Sequence, residues 1–500
     1  MISSLSGMID TGFILRHFPG LANLQLIRQV QDLPCKIFPY LCTSCGTGKT
    51  GWKHDIFMKR ALVITYYWPP AGGSGVQRWV KFAKYLPENG WQPVIYTPEN
   101  PDLALKDRTL EEEIPECAEI IRRPIFEPYG IYRKIFGKGQ AGQGEVNPIN
   151  GQEKSLKQKI SMFIRGNLFI PDPRCLWVRP SVRFLKKYLR EHPVDIIVST
   201  GPPHSMHLIA RKLARATGLP WIADFRDPWT KMFYFKHLQL SAWAERKHLA
   251  LEKKVLDDAS VIVAVSPLVQ EDFQNMTDTP VELITNGFDE SDFEQVVESD
   301  GYFNIVHTGL FASDGNPDVL WKVLSEKCSS DAEFRKMLRI RLAGKTDREI
   351  TASIVSSGLD ENLHDLGYQT HQVAVREQKG ASLLILPLRK EPEYRAVLPG
   401  KLFEYLASGR PILGIGQTDG AMARIINETG AGAVFAWDDE AGIAGYIDRC
   451  WKDFNNGTLE SNTDNIGQYS RRALARRMAG LMETLSTEKF ARSGPDKKQY

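Results

Sequence analysis

The chain has no apolar run close to the roughly 20 residues that a membrane-spanning helix needs. Its first residues show no basic segment followed by an apolar core and a small-residue cleavage site, so we expect no export signal. Cysteine is scarce, and the seven that are present form no dense or evenly paired set, which favours a reducing compartment. A formal net charge of +3 over 500 residues is no overall reason to bind nucleic acid. We therefore expect a cytoplasmic protein without a nucleic-acid partner.

Metal-ligating patterns are also sparse. Cys42 and Cys45 have a zinc-like spacing, but only Cys35 and His54 are nearby and no second cysteine pair follows. We therefore expect no metal site and no bound cofactor.

The composition that remains is that of an ordinary globular protein, with 42% hydrophobic and 25% charged residues. From Met58 onward, strand-like apolar segments alternate with helical patterns, which predicts α/β domains with parallel sheets. The predicted strands form two series, 61–66, 93–97, 195–199, 221–225, 261–265 and 281–285, then 303–308, 339–343, 363–366, 382–387, 411–415 and 432–436.

Two Rossmann-like domains follow from these series, one over 58–290 and one over 291–468. A terminal helix is predicted over 469–487 and a solvated tail over 488–500. Residues 1–57 show no clear period, and we interpret them as a disordered extension or a misassigned translation start.

The most informative motif is an apolar strand that leads into a glycine-rich loop and then an amphipathic helix, from Ala61 to Arg78. Without Cβ atoms, the backbone of such a loop can approach a ligand closely, and the first N–H groups of the helix attract negative charge. A glycine loop of this kind can also serve only to reverse the chain. Its candidate ligand-facing residues are Gly72, Gly73, Ser74, Gly75 and Arg78.

Two further strand ends of the first series carry polar side chains. His204 follows the strand at 195–199, either in the ligand crevice or as a residue packed in the turn before a helix. Asp224, Arg226 and Asp227 follow the next strand and suit the hydroxyl groups of an acceptor, with an internal salt bridge as the alternative.

In the second series, Lys345 lies where a strand gives way to a helix, and Gly400 begins another helix. The free N–H groups and the dipole at that helix start favour a diphosphate. Lys401 could neutralise phosphate charge, and Glu404, one turn later, could accept both hydroxyls of a ribose. An ordinary surface ion pair between these two side chains is the alternative.

With these residues in view, the chain resembles the family 4 glycosyltransferases of the GT-B fold over about residues 58–485. The resemblance rests on four motifs, Tyr66-Tyr-Trp-Pro-Pro-Ala-Gly-Gly-Ser-Gly-Val-Gln-Arg78, Thr200-Gly-Pro-Pro-His-Ser205, Ala223-Asp-Phe-Arg-Asp-Pro-Trp229 and Leu398-Pro-Gly-Lys-Leu-Phe-Glu-Tyr-Leu-Ala-Ser-Gly-Arg-Pro411.

The resemblance implies that the two domains face a central cleft, that the first binds the acceptor and that the second binds a nucleotide sugar. It also implies transfer with retained configuration, no essential metal, and a terminal helix that crosses back to the first domain. The donor residues that it implies are Gly309, Lys345, Arg395, Gly400, Lys401, Leu402 and Glu404, with His204, Lys345 and Glu404 as the catalytic set.

Two positions depart from the family pattern. The family carries two glutamates eight positions apart, and Glu404 matches the second while Ala396 stands at the first. Leu310 also stands where the family often has a basic residue.

We therefore expect a retaining, hexose-transferring enzyme that uses a nucleotide-diphosphate sugar and a glycan or lipid-linked acceptor, in surface polysaccharide synthesis. The alternatives are a GT-B sugar-nucleotide epimerase and a non-catalytic sugar-nucleotide-binding or scaffold protein. A basic segment over 154–190, with interleaved apolar residues, predicts peripheral contact with the inner face of an anionic membrane. The alternative is a solvated basic face over an ordinary core.

Overall fold

The computed structural model describes residues 58–103, 106–127, 156–232, 235, 238–461 and 465–492, all within a compact unit that runs from Ile56 to Tyr500. The predicted extension over 1–57, the Cys42 and Cys45 pair, and Lys154 lie outside the described residues.

The first half of the described chain forms a parallel sheet of seven strands in the order β3-β2-β1-β4-β5-β6-β7. Its strands are β1 (Lys59–Ile64), β2 (Trp91–Pro98), β3 (Glu119–Arg123), β4 (Ile196–Gly201), β5 (Trp221–Phe225), β6 (Val261–Ala264) and β7 (Val281–Leu283). Its helices are α1 (Ser74–Tyr85), α2 (Leu156–Leu168), α3 (Val178–Glu191), α4 (Ser205–Thr217), α5 (Ala242–Asp258) and α6 (Pro267–Gln274).

The second half forms a parallel sheet of six strands in the order β10-β9-β8-β11-β12-β13. Its strands are β8 (Phe303–Thr308), β9 (Leu338–Ala343), β10 (Leu363–Gly367), β11 (Leu383–Pro387), β12 (Ile412–Ile415) and β13 (Gly432–Phe435). Its helices are α7 (Asp318–Ser330), α8 (Ala332–Met337), α9 (Arg348–Ser356), α10 (His371–Lys379), α11 (Gly400–Ser408), α12 (Ala421–Thr429) and α13 (Glu440–Asn455). The two parallel sheets with their helices confirm the predicted pair of Rossmann-like domains.

Strand β3 is the one strand of the first sheet that the sequence analysis missed. It pairs with β2, with Ile120 opposite Ile95, and forms an edge of the sheet. Its residues are only partly buried or exposed, and three of the five are charged. An edge strand needs no continuous apolar run, which is the signal that located the other strands.

The last helix, α14 (Arg471–Arg492), packs against α1 of the first domain. Leu474, Met478 and Met482 are fully buried in the same apolar cluster as Trp79. The helix continues past the predicted end at 487, so residues 488–492 do not begin the predicted tail.

Two segments meet where the chain passes between the domains. The Phe288 N–H donates to the Tyr469 carbonyl at 3.2 Å, and the Arg471 N–H donates to the Phe288 carbonyl at 2.7 Å. A Cβ atom on Gly287 would lie 2.0 Å from the Tyr469 carbonyl oxygen, so this crossing requires glycine. Among the described residues, no helix is long and apolar enough to cross a membrane.

Candidate active site

Loops at the carboxyl ends of strands from both sheets line one cleft with a volume of 1260 Å³. Carboxyl ends of parallel strands meet at one edge, where open α/β sheets bind ligands. The cleft brings together eight of the predicted site residues, Gly72, Gly73, Gly75, Arg226, Asp227, Lys345, Arg395 and Gly400. The other predicted residues that the structure describes do not line this cleft, namely Arg78, His204, Asp224, Gly309, Lys401, Leu402 and Glu404. The side chain of Ser74 lies outside the described residues.

Arg78 and Asp224 form a buried ion pair beneath the first-domain wall instead of facing an acceptor. Their side chains are 1% and 0% exposed, and Arg78 Nη2 lies 2.8 Å from Asp224 Oδ1. Trp79 and Thr200 also donate to Asp224, at 2.7 and 2.9 Å. Burial would raise the pKa of Asp224, but the Arg78 guanidinium and these donors lower it below its ordinary value. The internal salt bridge is therefore what the structure shows for Asp224, with Arg78 rather than Arg226 as its partner.

Arg226 ties the glycine loop to the loop after β4. Its guanidinium donates to the carbonyl oxygens of Gly75 and Pro202 and lies over the Tyr67 ring, 5.5 Å from the centroid. A Cβ atom on Gly75 would lie 3.0 Å from Arg226 Nη1, so glycine lets the guanidinium approach the loop. Arg226 thus lines the cleft and also holds two of its loops in place.

His204 is 4% exposed and stacks on Trp229, with ring centroids 4.9 Å apart and an interplanar angle of 3°. Burial, together with nearby His207 and Arg226, lowers the pKa of His204 well below its ordinary value. A neutral, packed ring beneath the cleft corresponds to the second interpretation from the sequence, a histidine packed in the turn before α4. The prediction that it orients an acceptor hydroxyl has no direct support from this placement.

The second-domain wall is built where the loops after β8 and β9 meet. Gly344 has a φ of +157°, and a Cβ atom there would lie 2.1 Å from the Gly309 carbonyl oxygen. This close approach requires glycine and places Lys345, which is exposed, on the cleft wall. Gly400 also lines the cleft at the start of α11, where Pro399 supplies no side-chain cap. The N-terminal end of α11, with its positive dipole, therefore opens into the cleft.

Lys401 lies immediately behind this helix start and is held by neutral partners. Its Nζ lies 3.0 Å from His307 Nε2 and donates to the Leu310 carbonyl at 3.1 Å. Burial lowers the pKa of Lys401 to about 8, although Glu404 acts in the opposite direction. Burial and the Lys401 charge lower the pKa of His307 well below its ordinary value, so the ring is neutral and accepts from the ammonium. The lysine charge is therefore not neutralised by a bonded carboxylate.

Glu404 is partly exposed and accepts a hydrogen bond from Gln378 Nε2 at 2.9 Å. Gln378 also donates to Thr308 Oγ1 at 3.0 Å, which connects α10, α11 and the end of β8. The Tyr405 hydroxyl accepts from the Thr308 N–H at 2.9 Å.

Sequence reasoning missed His307 and Gln378, which hold Lys401 and Glu404. His307 precedes the recognised Thr308-Gly309 strand end by one residue, and this proximity is the signal that could have found it. Gln378 lies in the middle of α10, and no local pattern marks it. No group of three histidine, cysteine or carboxylate side chains that could hold a metal ion occurs in the part of the chain that the structure describes.

Two family models match the chain. The model described as Glycosyltransferase Family 4 matches residues 153–292, and the one described as Glycosyl transferases group 1 matches residues 303–453. Together they cover more than half of the 500 residues. The chain belongs to the family 4 glycosyltransferases. A search of curated protein sequences found no match.

Solved structures show that this glycosyltransferase shares the GT-B fold. Sucrose-phosphate synthase from Thermosynechococcus elongatus matches with a TM-score of 0.56 at 14% identity, over 86% of this chain and 100% of that one. WaaG, a glycosyltransferase involved in lipopolysaccharide biosynthesis, matches with 0.50 at 15% identity, over 84% and 99%. A variant of S. aureus TarM, solved in complex with fondaparinux, alpha-GlcNAc-glycerol and UDP, matches with 0.50 at 10% identity, over 85% and 100%. The predicted family, fold and enzyme class are confirmed.

Proposed function

We propose that this glycosyltransferase moves a hexose from a nucleotide-diphosphate sugar to a glycan or lipid-linked acceptor in surface polysaccharide synthesis, with retained configuration. One observation carries the proposal. An uncapped helix start at Gly400 and the exposed Lys345 line the second-domain wall, and Lys401, held by neutral partners, lies next to this helix start. Free backbone N–H groups and cations of this kind favour the binding of a diphosphate.

On the donor side, the diphosphate would lie against the N–H groups at the start of α11. When the bond to the sugar opens, negative charge develops on the β-phosphate, and Lys345 and Lys401 would stabilise it. Since the Lys401 ammonium is bonded to a neutral ring and a carbonyl, a phosphate need not displace a carboxylate from it. Glu404, whose carboxylate Gln378 orients, would accept the ribose hydroxyls.

On the acceptor side, Arg226 and Asp227 face the same cleft with the glycine loop. The acceptor hydroxyl would approach the sugar on the face from which the phosphate departs, so that its oxygen bonds to the sugar while its proton passes to the departing phosphate. No enzyme nucleophile and no metal ion is required in this scheme.

Thermal-shift measurements with UDP, GDP and their glucose and mannose sugars test the donor site, followed by a transfer assay with the nucleotide sugar that binds. We expect stabilisation by one nucleotide sugar and its loss in Lys401→Ala, but not in the control Lys322→Ala, whose ammonium pairs with Glu440. Conversion of the sugar without an acceptor would favour the epimerase instead. Binding without hydrolysis or transfer would favour a non-catalytic protein.

A lipid-linked acceptor is supported by a surface on the first domain that we call the apolar-basic patch, made of Phe163, Leu168, Leu176, Trp243 and Lys247. Its four apolar side chains are exposed by 48%, 70%, 47% and 56%, in the same order. The Lys247 ammonium lies 4.5 Å from the Trp243 ring centroid.

Contacts between α2 and the start of α5 bring these residues together. The Ser241 N–H donates to Asn167 Oδ1 at 2.8 Å, and His248 Nε2 lies 3.2 Å from the Gly166 carbonyl.

Part of the predicted basic segment is not surface at all. Arg174 is 4% exposed and lies 3.0 Å from Glu127, while Met162 and Trp177 are buried in the core. Among the side chains of this segment that the structure describes, the exposed cations lie on α3, namely Arg179, Arg183, Lys186, Lys187 and Arg190. Exposed apolar side chains and exposed cations on one domain suit an anionic headgroup layer, so we propose peripheral attachment to the inner membrane face.

Sedimentation with vesicles tests this attachment. We expect binding to anionic vesicles at low salt, weaker binding at high salt and little binding to neutral vesicles. The Phe163→Ser and Trp243→Ser double variant should bind less, while the control Tyr368→Ser, which alters a side chain that is 79% exposed in the second domain, should not. Equal and negligible binding to both kinds of vesicle at low salt would favour a soluble acceptor.

A further inference from the structure

The loop before α11 contains a carboxylate that the family motif does not predict. Residues Pro392–Ala396 form a 3₁₀ turn, and Ala396 in this turn occupies the position of the motif's first glutamate. Side chains three residues apart in a 3₁₀ helix eclipse one another. Glu393 therefore projects from the same side of the turn as Ala396, and both residues line the cleft.

The turn is held firmly in place. The Tyr394 N–H donates to the Glu391 carbonyl at 2.9 Å, and the Val397 N–H donates to the Tyr394 carbonyl at 3.0 Å. Gln417, in the loop after β12, donates to the Glu391 carbonyl at 3.2 Å. The backbone that carries Glu393 is thus held by hydrogen bonds within the turn and from the neighbouring loop, which fixes the place on the cleft wall from which its side chain extends.

The position of Glu393 relative to the phosphate-binding wall suggests what it recognises. Glu393, Lys345 and Gly400 line the same cleft. A carboxylate there would repel a phosphate, but it is a strong acceptor for the hydroxyl groups of a neutral sugar. The sugar of a donor whose diphosphate lies at Gly400 is the part of the ligand that could use this carboxylate.

We propose that Glu393 supplies the acidic group that the motif lacks at Ala396 and accepts hydrogen bonds from the hydroxyls of the donor's sugar. This inference rests on the proposed function, since it requires a nucleotide-sugar donor. It makes Glu393 a specificity-determining residue that discriminates the sugar and contributes nothing to the binding of the free nucleotide.

The test compares free nucleotides with nucleotide sugars, using UDP with UDP-glucose and GDP with GDP-mannose in calorimetry. For the pair that binds, we expect Glu393→Gln to weaken binding of the nucleotide sugar by about tenfold or more, because a neutral amide replaces the charged acceptor of its hydrogen bonds. Affinity for the free nucleotide should stay within about twofold. The matched control Glu391→Gln alters a carboxylate of the same turn that does not line the cleft, and it should change neither affinity.

A relocation variant strengthens the test. In Glu393→Ala with Ala396→Glu, the carboxylate moves to the family position on the same side of the turn, and we expect part of the sugar affinity to return. Equal losses for nucleotide and nucleotide sugar in Glu393→Gln, or no loss at all, would overturn the inference while leaving the proposed function standing. If none of the four probes bound the unaltered protein, the proposed function would fall as well.

Discussion

The charged side chains on the two sides of the cleft have different kinds of partner. In the first domain, Arg78 and Asp224 neutralise each other in the core, and Arg226 donates to backbone carbonyls. In the second domain, Lys345 is exposed to the cleft and Lys401 is bonded to a neutral histidine and a carbonyl. The Arg78 and Asp224 pair is thus part of a structural scaffold under the first wall, whereas the second wall keeps cationic charge available for a ligand.

This difference distinguishes residues that only match a binding motif from residues whose charge can bind a ligand. A buried ion pair whose hydrogen bonds are complete gains nothing from a substrate and loses much if one partner is removed. A cation with neutral partners retains its charge for a phosphate. Whether a charged side chain already has an oppositely charged partner, more than whether it belongs to a motif, decides which of the predicted residues can bind a ligand.

The largest effect on stability is expected when the buried ion pair of the first domain is broken. Asp224→Ala leaves the Arg78 guanidinium buried without its carboxylate, and we expect a loss of about 3–5 kcal/mol in the free energy of unfolding. Denaturant unfolding measures it. The double variant Arg78→Met with Asp224→Leu should recover much of this loss, because no charge is left uncompensated. Wild-type stability in Asp224→Ala would contradict the scaffold assignment.

Smaller effects are expected when the second wall is altered. Lys401→Ala and Glu404→Gln should each lower kcat/KM for the donor by about tenfold or more, because a hydrogen bond to a charged group contributes about 1.5–3 kcal/mol. Stability should change little in Glu404→Gln, which keeps the shape of a partly exposed side chain. Lys401→Ala also removes the hydrogen bonds to His307 and the Leu310 carbonyl, so its stability is measured alongside its kinetics. Steady-state kinetics measure the use of the donor, and denaturant midpoints measure the stability of each variant. Unchanged kinetics in both variants would remove these residues from the donor site.

The pKa of Lys401, about 8, predicts a pH dependence. The ammonium is present below this pKa and lost above it, so kcat/KM for the donor should fall as the pH rises through about 8. In Lys401→Arg, whose guanidinium stays charged, the fall should move to higher pH even if activity is lower. A profile that is identical in the two proteins would assign the titration to another group.

His204→Ala should affect stability in the first place. It removes a ring stacked on Trp229, which contributes about 0.5–1.5 kcal/mol beyond the buried area. Affinity for the free nucleotide should be nearly intact, since His204 lies in the other domain. Thermal unfolding and calorimetry test this. A loss of transfer at unchanged stability would restore the predicted role for His204 in acceptor positioning.

The smallest effect is expected at Arg395, which lines the cleft but pairs with Asp419 at the surface, 2.9 Å away. Arg395→Met should change the free energy of unfolding by only about 0–1 kcal/mol, as exposed pairs do. A fall in donor affinity would then indicate a contact between Arg395 and a phosphate rather than a structural defect. An unchanged affinity would leave Lys345 and Lys401 as the cations that bind the donor.

Most strands could be located from the sequence because a buried parallel strand is a short, continuous apolar run between turn residues. The predicted segment at 303–308 coincides with β8, and that at 221–225 coincides with β5. Strand β3 could not be located in this way, because it is an edge strand that carries charged residues and has no such apolar run. The start of α11 could be predicted because apolar residues at helical spacing, Leu402, Tyr405 and Leu406, begin just after the Pro399-Gly400 pair.

The partners of the site residues could not be predicted in the same way. Asp224 and Arg78 are 146 residues apart in the chain, and Lys401 and His307 are 94 apart. No periodicity or local spacing relates residues at such separations.

The sequence by itself determined the order of strands and helices, the glycine loops and the family, because each depends on neighbouring residues along the chain. Only the tertiary structure decided that Asp224 and His204 are buried away from the cleft, that Lys401 keeps an available charge, and that Glu393 lines the same cleft as Lys345. Burial and hydrogen bonding arise when distant segments pack together, and these two quantities set the charge and the accessibility of each side chain.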